Sequence, residues 1–74
     1  DYEKARQALA QVISYFPNHS KVPDAAYALG KVYNTLGDCQ RASELLQQVV
    51  QRYEGKSAAN LADKYLRESI DCDS

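Results

Sequence analysis

The sequence predicts an all-α fold: a solenoid of four helices arranged in antiparallel pairs. Four observations predict it. Apolar residues recur at steps of three and four along nearly the whole chain, the period of an amphipathic helix. The composition suits helices, with ten Ala but three Gly and two Pro in 74 residues. Val and Ile together number seven, too few for a β-sandwich of this length. Finally, the chain superimposes on itself at a shift of 37 residues, from Asp1 to Asp38.

The first helix is expected over about residues 1–16, with Ala5, Ala8, Leu9, Val12, Ile13 and Phe16 as its apolar stripe. Asp1 suits the N-cap, and Pro17 stops the helix by disfavouring helical geometry in Phe16. The second is expected over about 20–36, with Ser20 as N-cap and Pro23 tolerated in the first turn. Its stripe is Val22, Ala25, Ala26, Leu29, Tyr33 and Leu36, and Gly37 ends it. Asp38 then caps a third helix over about 38–53, with Ala42, Leu45, Leu46, Val49, Val50 and Tyr53 facing inward. Gly55 closes that helix. A fourth is expected over about 57–70, carrying Ala58, Leu61, Ala62, Tyr65, Leu66 and Ile70. The polar tail Asp71–Ser74 reads as frayed. The whole is one domain.

Composition narrows the function. The net charge is -1, with nine Lys and Arg against ten Asp and Glu. The basic residues are interleaved with acids, so no nucleic-acid face is expected. No apolar run is long enough to span a bilayer, and no leader-like segment opens the chain. The single His19 sits in a connector without convergent partners, the carboxylates cluster only near helix ends, and the three glycines form no phosphate loop. The expectation is a non-enzyme with no catalytic residues, no cofactor and no small-molecule substrate. Two Cys and one distant His do not complete a zinc site, so no metal is expected either.

The repeat carries a family pattern. Ala5 matches Ala42, Leu9 matches Leu46, Val12 matches Val49, Ser20 matches Ser57, Ala25 matches Ala62 and Leu29 matches Leu66. Ala26-x-x-Leu29-Gly30-x-x-Tyr33, followed by Ala42, Leu46 and Val49, resembles the tetratricopeptide repeat. The departures are Ala26 where that family commonly has Trp, and Glu54 where it commonly has Pro. In this register the chain starts on a second-type helix and reads as an excised piece of a longer array. The first helix should then expose part of its apolar face.

A narrower resemblance lies in the long connector Tyr15–Ala25 followed by Ala26-Tyr27-Ala28-Leu29-Gly30. It is similar to the C-terminal domain of the YbgF/CpoB family of the Tol–Pal cell-envelope system. Outer-membrane assembly lipoproteins of the BamD type share the longer connector. The YbgF/CpoB resemblance implies a periplasmic, non-enzymatic module of cell-division coordination that binds the periplasmic part of TolA. It also implies oligomerisation through a coiled coil N-terminal to the repeats, a segment this sequence lacks. The BamD resemblance implies a structural scaffold instead, and a generic repeat adaptor is the third alternative.

In such arrays the first helix of each pair lines the concave groove. That implies a partner-binding face of Asp24, Tyr27, Lys31 and Asn34, extended by Leu61, Lys64 and Glu68 from the next such helix. The alternative is an ordinary solvated face with one exposed Tyr. Antiparallel packing also places Cys39 and Cys72 at the same end of the stack, since Cys72 is the repeat equivalent of Thr35. The pair is either a structural disulfide, stabilising by about 3 kcal/mol, or two free thiols.

Overall fold

The structure is a computed structural model that describes residues 1–70 and Cys72. Its elements are α1 (Tyr2–Tyr15), α2 (Val22–Thr35), α3 (Cys39–Arg52) and α4 (Ser57–Glu68), with no strand among the described residues. Each helix packs on the next, and α2 also lies beside α4. The two layers are thus α1 with α3 and α2 with α4. The Cα trace is only 14 Å thick in its thinnest direction. That is the thickness of two helix layers packed about 8–10 Å apart.

Local chemistry sets each boundary. The Asp1 carboxylate accepts hydrogen bonds from the backbone N–H groups of Glu3 (3.0 Å) and Lys4 (3.3 Å). Phe16 leaves helical geometry ahead of Pro17, and its N–H still reaches the Val12 carbonyl at 3.0 Å. The α2–α3 junction is tighter. Gly37 takes a φ of 88°, its N–H donates to the Asn34 carbonyl, and the Asp38 N–H donates to the Tyr33 carbonyl. This is a Schellman closure. Asp38 then caps α3 by accepting from the Arg41 N–H at 3.1 Å. Gly55, also at φ 88°, turns the chain into α4.

Several expected boundaries shift. Ser20 does not cap α2, which starts two residues later. The connector supplies its own hydrogen bonds: the Lys21 N–H donates to His19 Nδ1 at 3.0 Å, and the Val22 N–H to the His19 carbonyl at 3.0 Å. Those donors need no Ser side chain, and Pro23 in the first turn brings none. Leu36 is not on the buried stripe. It follows the last helical residue, Thr35, and is 42% exposed. The fourth helix ends at Glu68 rather than at 70, with the Ser69 N–H closing on the Tyr65 carbonyl. The expected frayed tail lies, Cys72 apart, outside the described residues.

The core is small and built largely from Ala. Ala26, Leu46, Val49, Ala58 and Ala62 form its centre, with Ile13, Leu45, Val50, Tyr53 and Leu66 packed around it. Small residues let the helix axes approach. The closest approach is at Gly30, where a Cβ would stand 2.6 Å from Leu46 Cδ2 and 2.7 Å from Cγ. Gly30 therefore serves α2 as a flat contact for α3, not as a turn. The first helix is different: none of its residues is fully buried. Ala5, Leu9 and Ile13 are half-buried, whereas Val12 is 40% and Phe16 60% exposed. Half of its apolar stripe faces outward, as its register in the repeat implies.

Candidate functional site

The adjoining faces of α2 and α4 carry the site. Tyr27 projects from the second turn of α2, one position off the Ala26 core line. Its ring meets that of Tyr65 on α4 edge-on, with centroids 6.2 Å apart and planes at 87°. This is the favourable arrangement for two aromatic quadrupoles. One turn along α2, the Lys31 ammonium lies 4.7 Å from the Tyr27 ring centroid. One further turn along, the Asn34 amide donates to Tyr65 Oη at 3.0 Å and to the Ser69 carbonyl at 3.4 Å. The order Lys31, Tyr27, Tyr65, Asn34 thus stitches the two helices together through polar and aromatic contacts instead of aliphatic packing.

Beside this stitch runs an open cleft lined by Tyr27, Leu61, Lys64, Tyr65, Glu68 and Ser69. Leu61 is 46% exposed at its edge. Beyond Tyr65 a second hollow is lined by Tyr2, Ala28, Lys31, Val32 and Thr35, besides Tyr65 itself. Together they make a shallow surface with aromatic walls, an apolar rim residue, two ammonium groups and one carboxylate. Such a surface can hold an extended or helical peptide by apolar contact and charge pairing.

The structure brings together six of the seven groove residues. Tyr27, Leu61, Lys64 and Glu68 line the cleft, Lys31 sits on the Tyr27 ring, and Asn34 ties the two helices beneath it. Asp24 stands exposed in the first turn of α2, outside that lining. Tyr65 was expected in the buried stripe. It is half-buried, and its ring forms the cleft wall. Its spacing carried the signal: Tyr65 lies four residues after Leu61 and three before Glu68, on the same helix face.

The structure joins Cys39 and Cys72, with Cα atoms 5.6 Å apart. The bridge ties the first turn of α3 to the chain just beyond α4. It lies at the same end of the stack as the Asn34–Ser69 contact, so α4 is held there twice.

Charges elsewhere are local. Arg6 pairs with Glu3, Arg41 with Asp38 at 3.5 Å and Arg67 with Asp63 at 3.2 Å, all within single helices or their caps. The hydrogen bond that Arg6 donates to the Glu3 carboxylate raises the Arg6 pKa above its usual value. His19 accepts the Lys21 N–H within the connector. Among the described residues, no three His, Cys, Asp or Glu side chains stand together as a metal site, and no helix is long and apolar enough to cross a membrane.

No curated protein and no solved structure matches the chain. The model of the tetratricopeptide repeat family matches residues 1–66. The four helices, the packing of Gly30 on Leu46 and the match over most of the sequence agree, and the chain belongs to the tetratricopeptide repeat family.

Proposed function

We propose that this chain is a non-enzymatic protein-interaction module that takes a segment of a partner protein into the groove between α2 and α4. Tetratricopeptide repeats mediate protein–protein contact as a class, which supports the general reading. The observation that carries the specific site is the Tyr27–Tyr65 pair flanked by Lys31, with Leu61, Lys64 and Glu68 on the rim. Aromatic side chains held in place beside exposed apolar and charged groups are the usual anchors of a protein contact.

The finer reading is a periplasmic, Tol–Pal-associated module of the YbgF/CpoB kind, with the periplasmic part of TolA as partner. Its support is the long connector, whose His19 hydrogen bonds set the start of α2, and the Cys39–Cys72 bridge, which suits an oxidising compartment. Calorimetric titration with the periplasmic part of TolA tests it. Binding to the unaltered chain, weakened about tenfold or more by Tyr27→Ala, is the expected result. Equal affinity for the variant removes the groove, and no binding at all removes TolA.

A second reading has its own observation. The exposed Val12 and Phe16 on α1 suit a scaffold of the BamD kind, held to its neighbours through that helix. In that case partner binding is lost on substitutions around Ala8 and Ile13 and survives Tyr27→Ala.

A further inference from the structure

The backbones of α1 and α3 stay apart, although both helices pack on α2. Between them lies a hollow of about 60 Å³. Its walls are Ile13 of α1 and Leu45, Val49 and Tyr53 on the other side, and Val22 and Ala26 of α2 form its floor. Ala26 brings only a methyl group, which leaves the space open. Gln48 and Arg52 of α3 line its mouth and are exposed. The hollow shares no residue with the cleft and the second hollow beside Tyr65. Three properties set what it can hold. Its walls and floor are apolar, so a water inside lacks the two to four polar partners it needs. A dry cavity of about 150 Å³ holds a benzene ring. At about 60 Å³ this one takes the tip of a branched aliphatic group and excludes a ring. The mouth is cationic: among the described residues the ion pairs are those of Arg6, Arg41 and Arg67, so Arg52 has no carboxylate partner.

We propose that this hollow binds a short branched aliphatic group that carries a carboxylate. The isobutyl tip enters between Ile13, Leu45 and Val49, above the Ala26 methyl group. The carboxylate stays at the mouth, where the Arg52 guanidinium offers it charge-assisted hydrogen bonds and the Gln48 amide offers a further donor. The apolar tip gains burial without displacing a well-held water. The bound group would bridge α1 to α3, a contact that the two backbones do not make themselves. Two sources supply this chemistry, a free branched-chain acid and the C-terminal leucine of a polypeptide. The site is separate from the groove between α2 and α4 and stands or falls without it.

A methyl-shift titration tests the proposal. The chain, labelled in its Ile, Leu and Val methyl groups, is titrated with isocaproate and, separately, with N-acetyl-leucine. The expected result is saturable shifts of Ile13, Val22, Leu45 and Val49, with the Leu61 methyl groups at the groove unmoved. The expected dissociation constant is about 1 mM, the scale for a ligand of about eight non-hydrogen atoms. Tighter binding of isocaproate assigns the free acid as the source, and tighter binding of N-acetyl-leucine assigns the chain end. Isohexanol keeps the branched tip without the charge, and Arg52→Gln keeps the hollow without the cation. Each is expected to weaken binding about two- to fivefold, the worth of an exposed ion pair. Ala26→Val fills the floor and is expected to abolish binding, with circular dichroism reporting whether it folds. Arg52→Gln alters an exposed side chain and carries the test if Ala26→Val does not fold. Benzoate is expected to leave the four residues unshifted. The proposal is overturned if neither acid shifts them at about twentyfold the expected constant. Undiminished binding of isohexanol and to Arg52→Gln overturns it too, as does undiminished binding to a folded Ala26→Val.

Discussion

Replacing Gly30 with Ala sets two effects of opposite sign against each other. Ala favours a helix interior over Gly by about 1 kcal/mol. Against this, its Cβ would lie 2.6 Å from Leu46 Cδ2 and 2.7 Å from Cγ. Carbon atoms rest at about 3.5–4.0 Å, so roughly 1 Å must be found. Leu46 is 0% exposed and enclosed by Ala26, Val49, Ala58 and Ala62. Rotating its terminal methyl groups does not clear Cγ, so the α2–α3 spacing or the whole side chain must move. Overpacking of this kind costs about 1–3 kcal/mol. The net expectation for Gly30→Ala is a loss of up to about 2 kcal/mol. The decisive feature is the dependence on background. Leu46→Ala removes Cγ and both Cδ atoms and costs about 3–5 kcal/mol by itself. In that background the added Cβ at position 30 meets no obstacle and fills part of the hole, so Gly30→Ala should become stabilising. The four proteins of the cycle are unfolded in urea and followed by circular dichroism, in an osmolyte-stabilised buffer so that Leu46→Ala remains folded. Gly37→Ala is the control. It has a φ of 88° and no atom within 4 Å of a built Cβ, so its cost is backbone strain and should not couple to Leu46. If Gly30→Ala keeps the same sign and size in both Leu46 backgrounds, the close-approach argument is wrong.

Two further outcomes follow from the ends of the helices. The Cys39–Cys72 bridge closes a span of 33 residues, for which chain entropy gives about 3.8 kcal/mol. Reduction, or Cys39→Ser with Cys72→Ser, should lower the melting temperature by about 15–30 °C at this chain length. It should also raise amide exchange first around Tyr65–Ser69, and an unchanged melting curve would contradict the staple. Asp38→Ala removes the acceptor of the Arg41 N–H and should cost about 1 kcal/mol by urea unfolding. Asp38→Asn should retain most of that stability, since its amide oxygen still accepts.

Much of this fold is legible from spacing because each helix has one dominant stripe. Ala42, Leu46 and Val49 are each 0–1% exposed, and these are the positions where the 37-residue shift repeats best. What spacing misses is set by chemistry outside the stripe. Ser20 looks like a cap, yet the His19 ring and carbonyl occupy the donors that a cap would serve. Leu36 fits the period but falls one residue past the helix, where the Gly37 turn points it to solvent. Leu61 satisfies both the apolar stripe and the groove face, and only packing shows that α3 does not cover it. Tyr65 is the converse case. An aromatic at a core-like position turns into a cleft wall because Asn34, on another helix, holds its hydroxyl. Its spacing from Leu61 and Glu68 puts it on the groove face, but the long-range hydrogen bond that holds it there leaves no local trace in sequence. The cysteine pair was within reach because the repeat itself relates Cys72 to Thr35, beside Cys39.

The most direct test of the groove is an amide-shift titration of the isotopically labelled chain with the periplasmic part of TolA. The account predicts shifts centred on Tyr27, Lys31, Leu61, Lys64, Tyr65 and Glu68, with α1 unaffected. Shifts confined to Val12, Phe16 and their neighbours would contradict the groove and favour a scaffold held through α1. A spectrum unchanged at millimolar partner would contradict the Tol–Pal reading itself.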